Sequence, residues 1–320
     1  MTLLTERSHA MIWGALVADA ASMGLHWIYD QARIAEVAGE RPEFHGPDAA
    51  DFEGAKGYFA HGGRRRGMQS QYGEQVLVML RSLAATGPYD RATYEAMFQA
   101  HFGYGGAYVG YIDRATRDTL DNLAQADRMG GVEAATFYGS DDTQLPAVAK
   151  LPPLIATGQV DEVTSAIRVT NNSDQAEAYG RVVAAMLQAA VQGAAPAEVV
   201  KSGLSAAAPE IAEGLARAVQ ATGQSVPEFT AEVGMACELA FGVPSVMHAL
   251  LVTGSFTEAV RQNILAGGDS CGRAVVLGAI LGACHGIGGD QGIPVEWVDA
   301  LAHRDDVRAL MDECAGAGTG

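Results

Sequence analysis

The sequence predicts an all-α protein folded as a single domain. Apolar residues recur at helical spacing along most of the chain, and capping residues stand at the ends of those stretches. No run of β-branched residues alternates over more than a few positions. With the usual mean helix length of about 11–12 residues, roughly ten or more short helices are expected. The chain has 320 residues, 48% hydrophobic and 18% charged, which is enough to bury a large core and unlike a disordered composition. No linker divides it. One domain over residues 1–314 and a flexible tail over 315–320 are expected.

The first helical stretch contains Trp13-Gly-Ala-Leu-Val-Ala-Asp19-Ala-Ala-Ser-Met-Gly24-Leu-His26-Trp27, with Asp19 as its only charge. A carboxylate in such surroundings must be paired, hydrogen-bonded or neutral. His26 follows by seven residues and shares a face with Asp19 if the helix persists. A carboxylate and an imidazole on one face can do acid–base work. Glu40–Gln71 lacks periodicity and reads as a long ordered loop. Its Arg64-Arg65-Arg66 is the only basic run, either a solvated loop or a phosphate-binding lip to which Arg66 contributes.

Ser70-Gln-Tyr72-Gly-Glu74-Gln75 precedes a helix with an apolar stripe of Val76, Leu77, Leu80, Leu83 and Ala84. Glu74 and Gln75 suit a first turn, where the helix dipole favours acids. His101–Tyr111 reads as a helix–loop junction, and Ser140-Asp141-Asp142-Thr143 as a helix start. Ser173–Ala190 is amphipathic and stops at Gly193. Ala195–Ala221 and Pro227–Ala240 are alanine-rich helices, the first divided at Pro209. Ser255-Phe-Thr-Glu258 matches a capping box, and Gly267 and Gly268 end its helix.

Gly267–Gly286 reads GGDSCGRAVVLGAILGACHG. Gly278, Gly282 and Gly286 recur on one face, so another helix backbone can approach closely. Asp269 suits an N-cap, a role compatible with a site. Free N–H groups and the dipole favour anions there, beside Ser270. A first-turn thiol such as Cys271 can have its pKa lowered and become nucleophilic, whereas its plainer reading is a small buried residue. Cys284 reads as core.

The net charge of −17 disfavours nucleic acid and anionic membranes as partners but leaves room for a local basic pocket. Cysteines 237, 271, 284 and 314 form no C-x-x-C pair and no zinc spacing, so reduced thiols are expected. No signal-peptide pattern is seen. The longest charge-free stretch, Leu239–Thr257, is interrupted by Pro244 and His248 and makes a poor membrane span. A cytoplasmic location is expected. Neither a dinucleotide-binding glycine fingerprint nor a P-loop is present.

Together these segments resemble the ADP-ribosylglycohydrolase superfamily, in order and over nearly the whole chain. GALVADAASMGLHW at 14–27 looks like its N-terminal G-x-x-x-G-D-A-x-G segment, and residues 70–83 look like its Thr-Asp-Asp-Thr helix opening. GGDSCGRAVVLGAILGACHG followed by Gly292-Ile-Pro-Val-Glu-Trp297 looks like its G-G-D-T-D-T segment with an I-P-x-x-W sequel. The resemblance implies an orthogonally packed all-α bundle. It also implies a cleft with two Mg²⁺ ions holding ADP-ribose, and water attack at the anomeric carbon.

Several positions depart from that pattern. Asp269 matches the first aspartate of the last motif and Ser270 its threonine, but Cys271 and Gly272 replace the second aspartate and final threonine. Gln71 and Tyr72 occupy the middle aspartate positions. Asp19 survives, and His26 falls where many members carry a glutamate. A thiol and neutral amides are poor ligands for a hard cation. No metal ligand or cofactor is therefore assigned, although the resemblance leaves magnesium possible. The pattern is similar to the J1-crystallin and selenoprotein J branch.

The expected function is hydrolysis of a ribosyl N- or O-glycosidic bond without the usual dinuclear magnesium site, on a small-molecule or ribosylated substrate. Asp269, Cys271, Asp19 and His26 are the candidate catalytic residues. Ser270, Tyr72, Glu74, Gln75 and Arg66 are the candidate substrate contacts. The alternatives are a non-catalytic crystallin-like or ligand-binding homologue, and a cysteine-dependent enzyme of a small-molecule pathway. Oligomeric state is left open.

Overall fold

A computed structural model describes residues 4–133 and 135–316, and they contain α-helices and isolated bridges but no β-strand. The first half runs through α1 (Glu6–Ser22), α2 (Gln31–Ala38), α3 (Gln71–Thr86), α4 (Arg91–Phe102), α5 (Arg114–Met129), α6 (Pro146–Ala149), α7 (Leu151–Ala156) and α8 (Val163–Thr170). The second half follows as α9 (Asp174–Val191), α10 (Pro196–Ser205), α11 (Pro209–Gln220), α12 (Val226–Val233), α13 (Leu239–Val252), α14 (Phe256–Leu265), α15 (Ser270–His285), α16 (Val295–Asp299) and α17 (Arg304–Gly316). The all-α expectation holds. Residues 317–320 of the expected tail lie outside the described residues, and α17 continues through its first two positions.

At the centre α1 crosses α15, and nearly every residue of both is buried. Low side-chain bulk makes this possible. A Cβ built on Gly14 would collide with the backbone of Gly278 and Gly282, and one on Gly278 with the Gly14 carbonyl and the Ala18 side chain. Gly286 is not part of the seam. It ends α15 in the left-handed region at φ 75, with nothing within 4 Å of a built Cβ. Because the seam runs antiparallel, the C-terminal half of α1 lies beside the N-terminus of α15.

Two helix boundaries differ from expectation. α1 stops at Ser22 and passes through a 3-10 turn, Met23–Leu25, leaving His26 extended. Gly24 lies directly against the His45 backbone, a contact that a continuing helix with larger side chains would not allow. His26 and Asp19 therefore do not share a helical face. The alanine-rich stretch 227–240 is also broken, at Gly234 (φ 129), and the extended segment after it accepts the Asp269 N–H at the Met235 carbonyl, 2.8 Å.

The other elements follow their signals with local variations. Pro209 opens α11, α9 starts just after Ser173, and α4 ends at Phe102 inside the expected junction. Ser255 accepts from the Glu258 N–H, but the Glu258 carboxylate turns to the Gly254 N–H, so the reciprocal capping box forms at Ser225 and Glu228 instead. Ser140–Thr143 does not begin a helix. Asp142 accepts from the Gln144 N–H and the Asn171 amide, and α6 opens later, at Pro146. The long loop is pinned by Phe44 N–H to the Ala21 carbonyl, Tyr29 N–H to Lys56 and Tyr58 N–H to Trp27. No described helix is long and apolar enough to cross a membrane.

Candidate active site

Three segments converge where α1, α3 and α15 meet. Ser70 caps α3 and Asp269 caps α15, each accepting a backbone N–H in the first turn. The Ser70 backbone N–H donates to Asp19 Oδ2 at 2.8 Å, and its hydroxyl donates to Asp19 Oδ1. Gln69, with its amide nitrogen turned toward these acceptors, adds a donor to Asp19 Oδ2 at 2.9 Å. Opposite, the Tyr72 hydroxyl donates to Asp269 Oδ2 at 2.5 Å, and the Gly272 N–H donates to Asp269 Oδ1 at 3.0 Å. Both carboxyl groups are fully buried. Desolvation raises the Asp19 pKa to about 7 despite its donors, and raises that of Asp269 as well.

His26 lies 3.7 Å from Asp269 Oδ1, but its Nδ1 accepts the Cys271 N–H at 3.1 Å. Burial holds its pKa well below the usual histidine value. The ring is therefore neutral with its proton on Nε2, which has no partner among the described residues. It offers a fixed N–H donor rather than a base. Cys271 is also fully buried, and its thiol points across the seam to the Asp19 carbonyl at 3.7 Å. Desolvation, with Asp19 and Asp269 nearby, pushes its pKa well up, the reverse of the expected activation. The helix dipole does not offset a carboxylate-lined apolar site.

Glu74 is not a free acid. Burial opposes its charge, but His101 Nε2 at 2.9 Å and the Arg64 guanidinium hold its pKa down. Arg64 also donates to the Gln69 carbonyl and lies over the Tyr108 ring, strapping the long loop to α3. So Arg64 is the inward member of the basic run, while Arg66 is exposed and lines a separate cavity. The structure brings together Asp19, His26, Tyr72, Asp269 and Cys271 but does not bring Arg66 to them. Ser270 and Gln75 sit in the same first turns, with buried polar atoms left unpartnered.

Sequence reasoning missed Arg273, Cys237 and the rim. Arg273 is fully buried, donating to Asn263 Oδ1 at 2.8 Å and to the Gly267 carbonyl at 2.5 Å. Being the only formal charge on α15 was its available signal. Cys237, on the segment after Gly234, turns its thiol toward Asp269, Tyr72 and Trp27, and burial raises its pKa. Trp27 sits at φ 68, with the Tyr111 ring edge-on at 4.8 Å and His61 stacked at 6.3 Å. Exposed Tyr58 completes this aromatic rim.

These burials predict the order of thiol reactivity. Iodoacetamide on native protein near pH 8 is expected to label the partly exposed Cys284 first, the carboxylate-facing Cys237 more slowly, and Cys271 only after unfolding. Peptide mass spectrometry at timed intervals reads this order. Early labelling of Cys271 would restore the nucleophile reading.

The donor set does not suit a pair of hard cations. Each of the two surviving carboxylates already accepts two or more hydrogen bonds, and Gln71 and Tyr72 stand at the middle motif. Among the described residues, no group of three or more His, Cys, Asp or Glu side chains is placed to hold a metal ion.

An all-α bundle with buried carboxylates at converging helix N-termini is the class that this geometry defines. The chain belongs to the ADP-ribosylglycohydrolase family, whose sequence profile matches residues 1–320. It is 25% identical to Crystallin J1A of Tripedalia cystophora over 319 residues, covering 94% of each chain. Crystallin J1B of the same organism is 24% identical over 310 residues, covering 92% of this chain and 91% of the relative. A solved structure described as an ADP-ribosylglycohydrolase-related protein complex shares the fold, with a TM-score of 0.70, 18% identity and 97% coverage of both chains.

Proposed function

We propose that this protein hydrolyses a ribosyl N- or O-glycosidic bond, using its buried carboxyl groups and no dinuclear magnesium centre. One observation carries the reading. On the segments that carry Asp269, His26 and Tyr72, several buried polar atoms have no protein partner: His26 Nε2, both amide atoms of Gln71 and Gln75, and Ser270 Oγ. Buried polar atoms in folded proteins are nearly always satisfied, so this concentration suits a polar guest rich in hydroxyls. Gln71 and Gln75 lie one turn apart on the same face of α3. Asp19, titrating at about 7, can take a proton from water or return one to a leaving group at neutral pH. Asp269, oriented by Tyr72, supplies negative charge where positive charge develops on the sugar.

Incubation with ADP-ribosylated and simple N-riboside substrates tests this. Asp269→Asn is expected to lower kcat by roughly a hundredfold or more, the size of a lost acid–base or charge contribution. Cys271→Ser is expected to stay within a few-fold of wild type. Equal background turnover in all three proteins would sink the hydrolase reading.

A second reading has its own support. Asp19, His26, Tyr72 and Asp269 are completely buried and largely bonded to one another or to neighbouring main chain, and the curated relatives are named crystallins. A non-catalytic homologue of this kind would gain thermal stability from ribosyl ligands, or bind none, with no turnover. A cysteine-dependent enzyme is disfavoured by the burial and raised pKa of Cys271.

A further inference from the structure

We propose that a second pocket, separate from the carboxylate cluster, binds a phosphorylated small molecule. A cavity of about 610 Å³ opens between the loop after α2, the end of the long loop, α14 and α16. Three arginines from three distant segments line it: Arg41, Arg66 and Arg261. No basic run in the sequence brings them together; the fold does, in a chain whose net charge is −17.

The arginines are not equally committed. Arg261 holds Glu43 in a two-point pair, Nε to Oε2 at 2.8 Å and Nη2 to Oε1 at 2.7 Å, with the Glu43 side chain only 7% exposed. That pair makes a rigid wall and leaves Arg261 Nη1 unbonded. Arg41 and Arg66 have no hydrogen-bond or ion-pair partner among the described residues. Phe44 and Trp297, edge to face at 5.6 Å, add an apolar surface to the lining. His45 lines the cavity too, but its Nε2 is bonded to Asp51. Glu296 is the only carboxylate of the lining not already paired.

Positive charge therefore exceeds negative charge inside an otherwise acidic molecule, and two guanidinium forks are open. A single arginine satisfies a carboxylate by a two-point contact. Two uncommitted arginines from separate segments of one lining instead suit a group with more acceptor oxygens, and a phosphoryl group has them. None of Asp19, His26, Tyr72 or Asp269 belongs to this lining, so the pocket does not depend on the function proposed above.

Calorimetric titration of the full chain with inorganic pyrophosphate at low ionic strength tests the proposal. Saturable binding at one site is expected. Arg41→Gln and Arg66→Gln are each expected to weaken it roughly tenfold, the loss of one charge-assisted contact. Arg65→Gln, an exposed neighbour outside the lining, is expected to bind like wild type. Absence of saturable binding overturns the proposal, as does an equal loss in Arg65→Gln. Citrate binding as tightly as pyrophosphate overturns the phosphoryl assignment.

Discussion

A Gly278→Val substitution is expected to destabilise the fold severely. Its Cβ would land on the Gly14 carbonyl and the Ala18 methyl, so the clash is with main chain and with a side chain that has no other rotamer. Relief requires moving α1 away from α15, and these two helices hold the centre of the core. Overpacking in a core typically costs about 1–3 kcal/mol when side chains can rearrange. Here they cannot, so a loss of about 3 kcal/mol or more is expected, a large fraction of a usual domain stability. Gly286→Ala is the control. It meets no neighbour, and its only burden is a positive-φ backbone (φ 75, ψ −160) that favours glycine, about 1–3 kcal/mol. Urea unfolding followed by circular dichroism separates them. An unchanged midpoint in Gly278→Val would show that the seam has room the geometry denies.

Asp19→Asn is expected to change how stability depends on pH. The folded-state pKa of Asp19 is about 7, against 3.8 for an unperturbed aspartate. Below pH 3.8 both folded and unfolded chains hold the proton, and the group costs nothing. As pH rises from there to about 7, the unfolded chain releases the proton while the folded chain keeps it, so stability falls. Above 7 the loss is constant. A gap of about three pH units corresponds to something on the order of 4 kcal/mol.

Asparagine does not titrate, so the stability of the variant relative to wild type should climb by that order between pH 4 and pH 8. Its amide nitrogen facing the Ser70 and Gln69 donors adds a fixed offset, not a slope. Glu74, held low by His101 and Arg64, acts in the opposite sense but is common to both proteins and cancels. Urea melts of both proteins across this range give the difference directly. A flat difference would mean that Asp19 is ionised throughout.

Much of this architecture was legible because it rests on local rules. Asp269 as an N-cap, Pro209 as a helix opener and the glycines of α15 as a close-packing face need only spacing and side-chain size. Asp19 was legible as a buried carboxylate because no other charge stands between Trp13 and Trp27. What was not legible depends on residues far apart in the chain. Just past the end of α1, Gly24 leaves room for the His45 backbone, a contact that no local signal announces. The high pKa of Cys271 comes from its burial with Asp19 beside it, which outweighs the helix dipole named by its position. Arg66 and Arg64 are two residues apart, yet only the fold decides that one straps the loop inward and the other faces a different cavity.

The glycine seam also divides the molecule by timescale. Amide protons of α1 and α15 lie in the core with paired backbones, so they should exchange with solvent only when the whole chain unfolds. The loop from Tyr58 to Gln69 is held by a few main-chain bonds and the Arg64 strap, and its amides should exchange through brief local openings. Asp19 and Asp269 are carried by the slow part, while Tyr58, His61 and Arg64 belong to the fast part. The spacing of the two carboxyl groups is thus a fixed property of the protein. The position of Tyr58, His61 and Arg64 relative to them is set by the loop, and varies on its shorter timescale.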